Sequence, residues 1–381
     1  MYHNRDSFQI LKYKIGFLSK LNFVKTLGYL KWTFLHNEKG KRMLTDIEKR
    51  HFSIPTIRPR RLRQHPHIRT LVRETEVHQE DLILPLFIKG KEGKKQPIIP
   101  MPGHYQLPLS ALREEIEELL SLGMKTILLF GIPPHKDETG SDSYDEEGII
   151  QQAIRMIKDI SSEMFIISDV CFCEYTDHGH CGFLTEKSGR VDIDNDLTLE
   201  LLVKQALSHA RAGADVIAPS GMIDGMVGAI REGLDQAGFT SLPILSYSVK
   251  YNSALYGPFR IAAEGAPKFG DRSSHMMDPA NGAEALREAL LDIEEGADML
   301  MVKPGHTYLD IIYRVKEAYP YIPLGAYHPS GEFAMIKAAA EKGWINEKKT
   351  AIEVLTAMRR AGADFIITYF AKEAAKQAWF R

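Results

Sequence analysis

Met299-Leu300-Met301-Val302-Lys303-Pro304-Gly305 follows Glu295-Gly296-Ala297-Asp298. A short apolar run after a helix-stopping glycine reads as a buried parallel strand, and this one ends in a lysine. Desolvation disfavours the ammonium form, and a neutral amine is a nucleophile able to form a Schiff base with a ketone. The plain alternative is a lysine whose stem snorkels out of the strand end toward water. A second pattern, Ile244-Leu245-Ser246-Tyr247-Ser248-Val249-Lys250, ends the same way. Two ammonium groups on neighbouring strand ends disfavour one another, which tips the reading toward chemistry.

Outward from this pair, short apolar runs alternate with amphipathic stretches. Strands are expected at Ile83–Ile88, Thr126–Gly131, Phe165–Val170, Asp215–Ser220, Ile244–Val249, Met299–Lys303, Leu324–His328 and Asp364–Tyr369. Helices are expected between them, near Pro108–Leu122, Glu147–Ile160, Leu197–Ala212, Asp224–Ala237, Gly282–Glu295, Tyr308–Ala318, Phe333–Arg360 and Ala371–Trp379. Gly-Ala-Asp recurs at 213–215, 296–298 and 362–364, each time where a helix should stop and a strand begin. Repeated strand-then-helix units over roughly 300 residues favour a closed α/β (β/α)8 TIM barrel. A doubly wound open sheet is the runner-up, and no G-x-G-x-x-G follows any strand to support its dinucleotide-binding versions. A barrel places its site at the C-terminal strand ends. The residues there are Asp169, a cysteine loop, Ser220, Lys250, Lys303, Ser330 and Tyr369.

The cysteine loop, Asp169-Val170-Cys171-Phe172-Cys173-Glu174-Tyr175-Thr176-Asp177-His178-Gly179-His180-Cys181, holds all three cysteines of the 381-residue chain. An odd, clustered set argues against a disulfide framework and for a metal site in a reducing compartment. Three thiolates suit Zn2+ with a fourth position open for water or substrate, whereas His178 or His180 would close the site into a structural one. A net charge of -2 gives no sign of a nucleic-acid partner. No run approaches the roughly 18 apolar residues of a membrane helix.

Residues 1–42 stand apart, with nine Lys or Arg against two acids and Phe8, Leu11, Ile15 and Leu18 at helical spacing. A transit peptide or membrane-surface helix is one reading. The preferred expectation is an extension upstream of a native start at Met43. Residues 43–80 read as an N-terminal arm, with the basic run Arg58–Arg63 serving subunit contacts, and 81–381 as the catalytic barrel. The Gly/Pro-broken segment from about 256 to 280 exceeds an ordinary βα loop and suggests a lid. Its Arg260 and Arg272 can grip a carboxylate bidentately.

Ser-Tyr-Ser-Val-Lys250-Tyr, Tyr256-Gly-Pro-Phe-Arg260, Met-Val-Lys303-Pro-Gly with Tyr308-Leu309-Asp310, and Ser330-Gly331-Glu332 resemble the delta-aminolevulinic acid dehydratase (porphobilinogen synthase) family, and the cysteine loop resembles its zinc-dependent branch. The resemblance runs from about Arg58 to the C-terminus. It implies condensation of two 5-aminolevulinate molecules to porphobilinogen, with loss of water, in tetrapyrrole synthesis. It implies that Lys303 holds the propionate-side substrate, with Ser330 and Tyr369 on its carboxylate, and that Lys250 holds the acetate-side substrate, with Arg260 and Arg272 on its carboxylate. Asp169, Ser220 and the zinc held by Cys171, Cys173 and Cys181 would meet the second substrate's amino and carbonyl region. It further implies a cytoplasmic homo-octamer joined through N-terminal arms, and Glu288 matches a position that holds allosteric Mg2+ in some members.

The chain departs from the family pattern at Gly221 and Met226, where an acid and a basic residue are usual, at Met276, where glutamine is, and at Pro329, where valine is. These positions bear on lid contacts and acetate-side affinity. Both lysines and all three cysteines are present.

Overall fold

The computed structural model describes residues 57–186 and 189–380. The basic stretch 1–42 and the candidate start at Met43 lie outside the described residues. The chain divides into two compact units between Glu74 and Thr75. In the first, Pro59–Arg63 forms a 3-10 helix and Pro66–Leu71 an α-helix. Each begins with proline, whose fixed φ suits the first helical position. The sequence reading of this arm named its charge and missed these turns.

The second unit is the expected barrel. Its eight parallel strands are β1 (Leu82–Lys89), β2 (Thr126–Ile132), β3 (Phe165–Val170), β4 (Val216–Pro219), β5 (Leu245–Lys250), β6 (Met299–Lys303), β7 (Leu324–His328) and β8 (Phe365–Thr368). Neighbours in sequence are neighbours in space, and β1 pairs with β8. Between β4 and β5 the ring closes through a bridge from Ile217 to Ile244, where the Ile217 N–H donates to Pro243 O at 3.1 Å. Strand residues are buried almost throughout, which is why they read as continuous apolar runs rather than alternating ones.

Helices surround the ring: Leu112–Ser121, Ile149–Ile160, Asn195–Ala212, Met226–Gln236, Glu284–Glu294, Leu309–Ala318, Ser330–Glu341, Glu347–Ala361 and Ala371–Lys376, with an extra Gly257–Ala262 after β5. The single helix expected over Phe333–Arg360 is two. Gly343 takes a left-handed φ of +71°, and the Asn346 side chain accepts from the Lys349 N–H at 3.0 Å, capping the second helix, so the continuous apolar pattern hid a stop and a restart.

The Gly-Ala-Asp repeat carries more than a helix stop. Gly213 is the C-cap of its helix at φ +103°, and Gly296 follows the C-cap Glu295 at φ +102°. The aspartates stitch strands together. Asp215 Oδ2 accepts from the Ile166 N–H on β3 at 2.7 Å, Asp298 Oδ2 from Ile244 beside β5 at 2.8 Å, and Asp364 Oδ2 from Leu324 on β7 at 2.8 Å. Each carboxylate satisfies a backbone donor at the strand's N-terminal end, where the ladder begins.

Candidate active site

Lys250 and Lys303 are level partners on β5 and β6. That register is not the one a regular pair of strands would give. Leu300 and Val302 face Ser246 and Val249, so β5 spends one more residue than β6 over the same rise, as a bulge does.

Lys303 is 4% exposed. Its Nζ lies 4.0 Å from the centroid of the Tyr327 ring, 5.0 Å from Phe259, 5.2 Å from Tyr247 and 5.3 Å from Tyr256. Ring faces attract an ammonium by about 0.5–2 kcal/mol, less than the loss of its water costs. Burial, followed by the charge of Lys250, lowers the Lys303 pKa from 10.5 to about 7. The amine is therefore substantially free at neutral pH, as a Schiff-base nucleophile requires.

Ser330 and Tyr369 attach to this aromatic sleeve. The Ser330 hydroxyl accepts from the Phe259 N–H at 2.8 Å, and the Tyr369 and Tyr327 hydroxyls meet at 3.1 Å. Lys250 donates to Ser220 O. The Ser220 hydroxyl donates to Asp169 Oδ2 at 3.2 Å, and Asp169 Oδ1 is buried with no partner. Burial, then Glu174, pushes the Asp169 pKa up.

Cys171, Cys173 and Cys181 converge, all three buried, with their Sγ atoms within 4.8 Å of one another and Cys171 to Cys173 at 3.5 Å. Thiolates on a tetrahedral zinc at about 2.3 Å stand about 3.8 Å apart, so the donor set fits that ion. The histidines are engaged elsewhere. His178 Nε2 meets Glu138 O at 3.1 Å, and its Nδ1 accepts from the His180 N–H. His180 Nε2 meets Phe269 O at 3.0 Å. An open three-cysteine arrangement, not a histidine-closed one, is what this geometry suits.

The segment after β5 packs on the cysteine loop. Arg272 Nη2 donates to Gly179 O at 2.9 Å and Gly265 O at 2.6 Å, and the Lys268 N–H to His178 O at 3.0 Å. Burial opposes the Arg272 charge, but the three cysteines and Glu174 together hold its pKa above the ordinary range. Arg260 keeps an unpartnered Nε, and burial and Arg272 lower its pKa. Met276 packs against the cysteines with Tyr256.

Glu288 is set apart from this group, on the helix Glu284–Glu294. It lines an outer groove with Asp224, Asp292 and Glu295. Among the described residues, the cysteines are the single set of three or more such side chains whose ligand atoms converge closely enough for a metal.

Sequence reading missed Glu174, whose Oε2 accepts from Cys173 Sγ at 3.1 Å, although it lies inside the quoted loop. It also missed the sleeve. Tyr256 and Phe259 stood in a motif from which only the arginine was taken, and Tyr247 was hidden because strand alternation puts residues three apart on opposite faces.

A parallel barrel with reactive groups gathered where its strands end belongs to the barrel enzymes. Relatives narrow that class. A family model described as delta-aminolevulinic acid dehydratase matches residues 56–377. The delta-aminolevulinic acid dehydratase of Halalkalibacterium halodurans is 55% identical over 319 residues, spanning 84% of this chain and 96% of the relative. That of Bacillus subtilis is 53% identical over 320 residues, 84% and 97%. The crystal structure of delta-aminolevulinic acid dehydratase (porphobilinogen synthase) from Toxoplasma gondii ME49, in complex with the reaction product porphobilinogen, superposes with a TM-score of 0.82 at 46% identity, covering 85% of this chain and 92% of that one. The chain belongs to the delta-aminolevulinic acid dehydratase family.

Proposed function

We propose that this chain condenses two molecules of 5-aminolevulinate to porphobilinogen, with loss of water, through Schiff bases on Lys303 and Lys250. The observation that carries the reading is the level pair of buried lysines beside a cluster of three thiols. Two ketone substrates call for two amines. The free amine of Lys303 attacks the first ketone inside an apolar sleeve that excludes water, while Ser330 and Tyr369, both bonded to that sleeve, hold its carboxylate. Lys250 takes the second ketone, with Arg260 and Arg272 toward its carboxylate. Asp169 would hold or accept a proton between the two substrates, a role supported by its burial with one oxygen unpartnered.

Zn2+ on Cys171, Cys173 and Cys181 would supply Lewis acidity or a hydroxide at neutral pH. Contact with one another and burial push the three thiols up in the absence of a metal, and Arg272, bonded into the same loop, is the cation that would offset part of the charge of a thiolate set.

The same reading includes a homo-octamer with Arg58–His67 in subunit contacts, supported by the exposure of residues 57–67. It includes Mg2+ at Glu288, supported by the nearness of Asp292, Asp224 and Glu284, which with burial raises the Glu288 pKa. A cytoplasmic location accords with buried free thiols. Among the described residues, no helix is long and apolar enough to cross a membrane.

Purified protein with zinc and reductant should turn 5-aminolevulinate into a pyrrole that colours with Ehrlich's reagent. Absence of product would favour a metal-binding or assembly role for a degenerate family member.

A further inference from the structure

Strand β5 breaks the two-residue alternation at the place where it matters. The Tyr247 ring faces the barrel interior, its centroid 5.7 Å from Lys250 Nζ and 5.2 Å from Lys303 Nζ. In a regular strand, Lys250 would share a face with Ser246 and Ser248 and point away from Tyr247. Ser246 does point away, its hydroxyl donating to Asp292 Oδ2 at 2.6 Å on the outer helix Glu284–Glu294. The register shift opposite Leu300 and Val302 absorbs one residue of β5, so Lys250 and Tyr247 reach the same interior.

A bulge leaves backbone groups without their ladder partners. Here the Ser248 hydroxyl donates to Ser246 O at 3.4 Å and lies near enough to the Asp292 carboxylate to favour its charged form. Ser246 and Ser248 are 0% and 1% exposed, a setting where helix-facing strand residues are ordinarily apolar because an unpartnered hydroxyl is costly. Two buried hydroxyls and one carboxylate therefore gather at the extra residue.

The geometry points to Asp292 as a positioning residue for Lys250: from outside the barrel it holds the bulge that turns the amine inward. This rests on the reading of Lys250 as a substrate-binding amine. The ratio of amine labelling at Lys250 to that at Lys303 needs no turnover, so it tests the positioning separately. If the unaltered chain makes no porphobilinogen, the functional reading fails while that ratio still decides this one.

The experiment uses the full chain with zinc and reductant. Asp292→Ala should lower kcat at least tenfold and reduce the Lys250:Lys303 labelling ratio severalfold, with borohydride trapping of 5-aminolevulinate at Lys303 within twofold of normal. Asp292→Asn keeps a carbonyl acceptor and should recover most of both. Ser246→Ala should repeat the Asp292→Ala pattern, and it carries the test if Asp292→Ala does not fold. An unchanged labelling ratio in the folded variants would overturn the inference. So would an equal loss of reactivity at both lysines with a fall in Tm and no recovery in Asp292→Asn, because that is the signature of general loosening.

Discussion

Lowering the pH through neutrality should switch off imine formation at Lys303. Burial in the sleeve of Tyr247, Tyr256, Phe259 and Tyr327, and then the charge of Lys250, bring its pKa from 10.5 to about 7. On that value about half of the amine is free at pH 7, whereas an ordinary lysine would be free in about 3 parts in 10,000. Lowering the pKa toward neutrality thus raises the share of free nucleophile by orders of magnitude. The sign follows directly. A lowered amine pKa lets the free base persist to lower pH, so trapping should be complete above about pH 8 and fall about tenfold per unit below about pH 6. The assay is reductive trapping with levulinate, a ketone lacking the substrate's amine, across about pH 5–10, with the adduct mapped to its peptide. Lys250→Met removes a nearby positive charge and should move the midpoint upward. A midpoint near 10 for the unaltered chain would refute the reasoning, since neither the sleeve nor Lys250 could then be acting on the amine.

Lys303→Arg keeps a cation but cannot form an imine, so turnover should fall by at least about 1,000-fold; near-normal activity would remove Lys303 from the mechanism. Lys250→Ala should still trap 5-aminolevulinate at Lys303 while making no porphobilinogen, and product formation by this variant would show that the second amine is dispensable. Metal analysis should find zinc bound to the intact chain, Cys171→Ser, Cys173→Ser and Cys181→Ser should each lose it, and chelation should abolish turnover that zinc and reductant restore; full activity in metal-free protein would sink the zinc assignment. Asp364→Asn weakens the Lys316 ion pair and the bond from the Leu324 N–H, so Tm should drop by a few degrees, corresponding to about 1–3 kcal/mol, with kcat unchanged. A lowered kcat at constant Tm would place that residue in the chemistry instead.

The barrel was legible because its strands are buried on both sides and helices separate them, so the apolar runs announce themselves. The cysteine cluster was legible from spacing alone. Side-chain direction was harder to read. Tyr247 belongs to the Lys303 sleeve only because β5 contains an extra residue, and nothing in Leu245–Lys250 marks a bulge to a reader counting in twos. The stop at Gly343 and the cap at Asn346 were present in the sequence, but the apolar pattern on either side outweighed them. Pro59 and Pro66 carried a helix-start signal that the surrounding charge obscured. The aspartates of Gly-Ala-Asp looked like turn residues because their partners lie on a preceding strand, distant in sequence.

Those aspartates also group the ring. Asp215 ties the start of β4 to β3, Asp298 ties β6 to the residue before β5, and Asp364 ties β8 to β7. Six of the eight strands are thereby fastened as consecutive doublets, which makes two strands, not one, the natural module of this barrel. Lys250 and Lys303 end the two members of one doublet. Lys303 is five residue steps along the chain from Asp298, about 17 Å of extended strand. The carboxylate is therefore too remote to act on the amines directly, yet it fixes where both strands begin. A substitution at Asp298 would accordingly reach the lysines as a displacement rather than as a change of charge.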